Sequence, residues 1–211
     1  MPTLRLATIE LLLDRDFDGR WAEGKKRVLR DIKQAILAVR WPPGSEGFTI
    51  HEQSGKRRGE GSGVRPIKEA FVSYLVSRNW HRERAFPKRE GDVRRPGAFD
   101  AWFDLGASGH KPFVVEWETG NISSSHRAMN KMSLGLLERH LSGGILVMPT
   151  RLLYQYLTDR VGNFEELAPY FPLWRALPVS AGFLAVIAVE HDAANREVPR
   201  IPKMTDGRAL I

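Results

Sequence analysis

The chain has 211 residues, a length suited to one domain, 1–211, built around a single sizeable core. With 42% hydrophobic and 27% charged residues it reads as a soluble globular protein, and the absence of cysteine excludes a disulfide framework, a thiolate metal site and a thiol nucleophile, in keeping with a cytoplasmic setting. No apolar run approaches a membrane span, residues 1–10 carry no secretory pattern, and the net charge of +7 favours polyanionic partners, nucleic acid foremost.

Residues 22–39 read as an amphipathic helix, with Val28, Ile32, Ala35, Ile36 and Val39 on one face and Lys and Arg opposite. Trp41-Pro42-Pro43-Gly44 ends it, and 48–52 suits a short strand. The Gly-rich basic stretch SGKRRGEGSG, 54–63, lacks the GK[ST] ending of a phosphate-binding loop, so no nucleotide cofactor is expected. A second helix is predicted over 65–80, with Pro66 early, where its missing N–H costs nothing. Residues 84–97 form a basic, Pro- and Gly-containing connection without periodicity.

Two strands follow, 98–105 and 112–119. The first places Asp100, Trp102 and Asp104 on one face; the second places Val114, Glu116 and Glu118 together. SSHRAMNKMSLGLLERH, 124–140, reads as a helix with serines suited to capping and a buried stripe of Met129, Met132, Leu136 and Leu137. A buried strand at 143–148, helical patterns at 149–158 and 163–171, and a strand at 182–189 complete the series. This order predicts an α/β fold: a central sheet of mixed parallel and antiparallel strands with helices on both faces.

Two carboxylates at the end of an apolar strand, followed at once by Asn, Ser, His and Arg, pose a physical problem, because acids repel phosphates while the residues after them suit polar edges and anions. If the two strands pair, Asp100 comes near Glu116 and Glu118. Three buried carboxylates then need a metal ion, Lys68 or arginine neighbours, or a raised pKa. Mg²⁺ suits the first option, since it takes oxygen ligands and needs only one or two carboxylates when waters and a phosphate complete its shell. An Asp followed on the next strand by Glu-x-(basic or acidic) is the pattern of metal-dependent phosphodiesterases; the usual third residue is Lys, and here it is Glu118. Ser123, Ser124 and Ser125 lack the setting of a serine nucleophile, and His126 has the place of an ordinary helix residue.

Longer strings narrow the choice. GVRPIKE (63–69), NWHRE (79–83), the FD at 99–100, EWETGNISSSHRAMNKMSLGL (116–136), ILVMP (145–149), YLTDRVGNFEELAPYF (156–171) and IPKMTDG (201–207) together resemble the BamHI family of type II restriction endonucleases, in that family's order and nearly its spacing. The resemblance implies a restriction-endonuclease-like core of the PD-(D/E)xK type and a homodimer that cuts double-stranded DNA at a palindrome with Mg²⁺, the palindrome being GGATCC. It assigns catalytic roles to Asp100, Glu116, Glu118 and Glu83, with Asp100 and Glu116 holding the metal. It places Asn121, Ser123 and Arg127 in the major groove, makes Asp159, Arg160 and Asp206 base readers, and puts Lys68 at the DNA. Arg suits the O6/N7 edge of G, Asp the N4 of C, and Asn adenine. Residues 1–40 and 84–97 match little, and the family's C-terminal helical arm has no counterpart after Gly207. Two rival readings share the fold: a sequence-specific DNA-binding protein that does not cut, and a repair or junction nuclease that reads shape.

Overall fold

The computed structural model describes residues 1–15, 22–55, 57, 60–87, 91, 96–106, 111–158 and 161–203. Its centre is set by two apolar strands, β6 (Gly143–Pro149) and β7 (Gly182–His191), which pair in parallel. Every residue of β6 is buried, as a strand covered on both faces must be. On β7, Ala185, Ile187 and Val189 enter one core while Leu184 and Val186 enter the other. The sheet has six strands in the order β1-β7-β6-β5-β4-β3. β5 (Phe113–Trp117) runs parallel to β6, whereas β4 (Phe99–Phe103), β3 (His81–Arg84) and β1 (Leu4–Arg15) join antiparallel. β1 and its partner β7 shift register twice, between Leu6 and Thr8 and between Leu11 and Leu13, so that β1 carries Ala7 and Leu12 as extra residues.

Helices cover both faces, as the sequence predicts. α1 (Ala22–Leu37) and α2 (Arg65–Ser77) bury Val28, Ile32, Ile36, Ile67, Phe71 and Leu75 against one face. On the other, α3 (Ile122–Leu137) buries Met129, Met132 and Leu136, joined by Leu167 from α5 (Phe164–Leu167) and Phe171 and Trp174 from α6 (Phe171–Arg175), whereas Leu137, expected in the same buried stripe, turns outward at the end of α3 and is exposed. The approach of α3 is close: a Cβ on Gly144 of β6 would lie 2.6 Å from the Met132 sulfur. Among the described residues no helix is long and apolar enough to cross a membrane.

Several boundaries differ from expectation for local reasons. The 48–52 strand is β2 (Thr49–His51), and it pairs outside the main sheet, with β8 (Ala193–Asn195). The pattern at 149–158 yields only α4 (Arg151–Tyr154), capped by Thr150. The pattern at 163–171 starts at an Asn163 cap and breaks into α5, a 3-10 turn at 168–170 and α6, each of the last two opening on a proline. α3 starts two residues earlier than expected, and its cap is Asn121, whose side chain accepts the Ser124 N–H at 3.2 Å.

Leu146 is fully buried between α3 and the sheet. Leu146→Ala should therefore cost about 2–5 kcal/mol of stability, while Gln34→Ala on the exposed side of α1 should stay within about 0.5 kcal/mol. Urea unfolding of both variants measures the difference.

Candidate active site at the ends of β4 and β5

The pairing of β4 with β5 puts Ala101 opposite Val115, Trp102 opposite Val114 and Phe103 opposite Phe113. One step further along the same register, Asp100 stands across from Glu116. Trp117 turns to the other face and packs on Phe71, ring centroids 4.9 Å apart. β5 ends at Trp117, so Glu118 lies just beyond the strand, where its N–H still donates to the Val147 carbonyl at 2.8 Å. Asp100, Glu116 and Glu118 line one cleft of about 280 Å³. Water fills about 30 Å³ per molecule, so a phosphodiester and several waters fit there.

Each acid has its own partners. Asp100 Oδ1 takes the Lys68 ammonium at 2.6 Å, and its Oδ2 accepts the Trp117 N–H at 2.8 Å. Glu116 is in direct ion-pair contact with Lys131 from α3. Glu118 is turned toward the start of α3: it accepts the Gly120 N–H at 2.5 Å and the Ser125 hydroxyl. That arrangement needs a glycine at 120, because a Cβ there would meet Ser124 Oγ at 2.6 Å. The exposed N–H groups at the first turn of α3 also favour negative charge nearby.

Burial pushes the Glu116 carboxyl up to about 7, against the pull of Lys131. Burial likewise pushes Glu118 up to about 7, opposed chiefly by its bond from Ser125. Of the neutralising devices left open by the sequence, Lys68 and raised pKa values are both present. A third, Lys131, gives no signal in the sequence. It sits between Met129 and Met132 on a helix, and its carboxylate is on a strand it meets only in the folded chain.

The expected convergence of three carboxylates takes a looser form. Among the described residues no cluster of three or more His, Cys, Asp or Glu side chains is placed to hold a metal ion. Asp100 and Glu116 nevertheless stand across from each other in register and line one open cleft, and a pair of carboxylates suits a hard cation that draws its other ligands from water and phosphate.

Glu83 lies on β3, whose register (His81 to Trp102, Arg82 to Ala101, Arg84 to Phe99) sets it across from Asp100 on the far side. Glu83, Asp100 and Glu116 thus form a row over three strands. Glu83 is exposed, is not among the residues lining the cleft, and has φ of +45°, a backbone region that non-glycine residues rarely adopt. At the mouth, Arg127 lines the cleft and donates to Ser124 Oγ at 2.9 Å, Ser123 is exposed in the first turn of α3, and Asn121 caps it. Asp159, Arg160 and Asp206 lie outside the described residues. Of the described flanks of their strings, Gly162 donates to the carbonyl of the cleft residue Gly120 at 2.9 Å, while Thr158 donates to Ser62 at 2.9 Å and Gly63 to Ile201 at 2.8 Å, in the chain just before α2.

The six-stranded mixed sheet with its flanking helices has the restriction-endonuclease-like fold. It superposes on the crystal structure of restriction endonuclease BglII complexed with a DNA 16-mer with a TM-score of 0.59, at 13% identity, covering 88% of this chain and 79% of that one. The sequence is 43% identical over 207 residues to the type II restriction enzyme OkrAI of Oceanobacter kriegii, covering 98% of this chain and all of the relative. It is 38% identical over 185 residues to the type II restriction enzyme BamHI of Bacillus amyloliquefaciens, covering 86% and 82% of the two chains. The family model for restriction endonuclease BamHI matches residues 4–208. The chain belongs to the BamHI family of type II restriction endonucleases, which are site-specific deoxyribonucleases. The match includes β1 and α1, where the sequence by itself shows little similarity.

The raised carboxyls carry a stability consequence. Folded Glu118 binds its proton up to about pH 7, against an ordinary value of 4.5. The folded state therefore holds more protons than the unfolded state across that window, and stability falls as pH rises through it. Glu118→Gln should stabilise the chain at pH 8 by on the order of 1–3 kcal/mol relative to the unmodified chain, and so raise its melting temperature, with the gain shrinking toward pH 5. Thermal unfolding at the two pH values measures it.

Proposed function

We propose that the chain is a Mg²⁺-dependent endonuclease that acts as a homodimer in the cytoplasm on the double-stranded palindrome GGATCC, hydrolysing one phosphodiester in each strand. The observation that carries the reading is the registered pair Asp100–Glu116 at an open cleft whose rim is the first turn of α3. Cutting and reading groups are thereby joined within a few residues of chain.

Asp100 and Glu116 would hold the cation. When bound, it supplies Lewis-acid polarisation of the scissile phosphate. Glu118 is the proton acceptor for the attacking water: a carboxyl with a pKa near 7 is matched to proton transfer at neutral pH, and its bonds from Ser125 and Gly120 fix its direction. Lys68 and Arg127 bring positive charge to the walls where the phosphate enters. Glu83 extends the acidic row from β3. Asn121, Ser123 and Arg127 at the start of α3, with Asp159, Arg160 and Asp206, read base edges in the major groove. Support for these roles comes from family membership and from the chemistry of each side chain.

A palindrome is matched by a two-fold dimer. Leu134 of α3 packs against the core and Glu165 of α5 accepts the Arg151 N–H at 2.9 Å, so neither is free for a partner. Leu137 remains 44% exposed and Leu173 of α6 is 67% exposed, and these two carry the proposed face.

Digestion of DNA of known sequence with Mg²⁺, followed by sequencing of the ends, tests the activity and the site together. Glu118→Ala should nearly abolish cutting, by about 100-fold or more, while site-specific retention in a gel-shift assay persists. Ca²⁺ in place of Mg²⁺ should permit binding with little cutting. Efficient cleavage by Glu118→Ala, or by the unmodified protein in excess EDTA, contradicts the assignment.

Light scattering of the free protein should give twice 23.9 kDa. A monomer both free and on DNA rules out the dimeric reading.

A further inference from the structure

Lys131 is a lysine with only 7% of its side chain exposed, in the middle of a helix packed on the sheet. A buried ammonium is costly unless it is paired and hydrogen-bonded. This one is anchored three ways: by the ion pair with Glu116, by donation to the Ala98 carbonyl at 2.7 Å, and by the Phe99 ring, whose centroid lies 4.4 Å away. Lys131 is also one of the residues lining the cleft. The charged residues lining that cleft are Asp100, Glu116 and Glu118 against Lys68, Arg127 and Lys131, so three negative groups face three positive ones and the formal sum is zero.

We propose that Lys131 is the internal counter-ion of Glu116, a positioning residue that keeps the cleft near neutrality so that a DNA phosphate can seat there before any divalent cation arrives. The strand position that is commonly Lys in this fold is Glu118 here, so the cation comes from a helix instead. This inference rests on the nuclease reading of the same cleft.

Removing Lys131 leaves the lining with a net charge of −1 beside the incoming phosphate. The penalty should be visible without metal and should vanish when a metal ion takes over the neutralisation. A lysine that merely fastened α3 to the sheet would cost the same with and without metal.

The test is fluorescence-anisotropy titration of a labelled 16-base-pair duplex containing GGATCC at pH 8.5, above the ordinary range of a carboxyl group, in EDTA and in Ca²⁺. In EDTA, Lys131→Met should bind roughly 10-fold more weakly than the unmodified chain, and Ca²⁺ should restore most of the loss. Lys131→Arg, which keeps the charge, should bind as the unmodified chain does. The double change Glu116→Gln with Lys131→Met, which returns the formal sum to zero, should bind in EDTA as the unmodified chain does, a comparison that stands even if Lys131→Met by itself folds poorly. Equal binding by Lys131→Met in EDTA, a loss of the same size in EDTA and Ca²⁺, or a 10-fold gap in EDTA between the double variant and the unmodified chain overturns the inference. An unmodified chain that cuts and binds while any of those results holds leaves the nuclease reading standing. An unmodified chain that binds no duplex at all removes both.

Discussion

The cleft depends on the register between β4 and β5. In a sheet the side-chain period is two, so a slip of one residue would carry Asp100 or Glu116 to the opposite face, into the apolar core beneath α2. That slip is opposed by the residues on either side of the acids. Ala101 and Val115 are both fully buried, and Phe103 and Phe113 lie in the same cluster, so a shifted register would put apolar side chains into the cleft and charges into hydrocarbon. The parallel pairing of β5 with β6 adds a second lock by setting Glu116 beside Leu146 and Trp117 beside Val147. The position of the chemistry is therefore fixed by packing on the face where no chemistry occurs.

Within that frame the acids are held by opposing forces. Desolvation disfavours the charged forms of Glu116 and Glu118, while the lysines near Glu116 and the hydrogen bonds to Glu118 favour them. The partners of the three acids differ. Asp100 is bound by an ammonium and a backbone N–H. Glu116 is deeper and shares its cation with a carbonyl and a ring. Glu118 has no cation in contact among the described residues and is held by neutral donors at a helix start. Carboxylates of one cleft are thus placed in three different environments, which is how similar side chains acquire different duties. The sequence left a metal ion, Lys68 or arginine neighbours, and raised pKa values open as ways to accommodate the acids; in the structure Lys68 of α2 and Lys131 of α3 stand beside them.

The sequence reveals elements whose pattern is local. α1, α2, β6 and β7 follow from apolar periodicity, and β4 and β5 from alternation around Asp100 and Glu116, so the acids' proximity could be foreseen. Lys131 could not, because its meaning is a contact across fifteen residues of chain and two elements. β1 was hidden because its extra residues at Ala7 and Leu12 interrupt the alternation that marks a strand. β3 was hidden because HRER is short and wholly polar. The Asn121 cap was masked by three serines that follow it and are equally suited to capping.

Those two hidden strands are the outer ones, and their irregularity affects how the molecule behaves in a crowd. An outer strand exposes a row of unpaired amides and carbonyls on which another chain can add as a further strand. β1 is long and shows Ile9 and Leu11 at its surface, the composition most prone to such growth, yet its two extra residues twist and offset its free edge. β3 is only four residues long, is charged, and is kinked at Glu83 by the left-handed backbone there. The sheet therefore ends on both sides in strands that are poor templates for a seventh, which protects a concentrated solution of this protein from edge-to-edge aggregation.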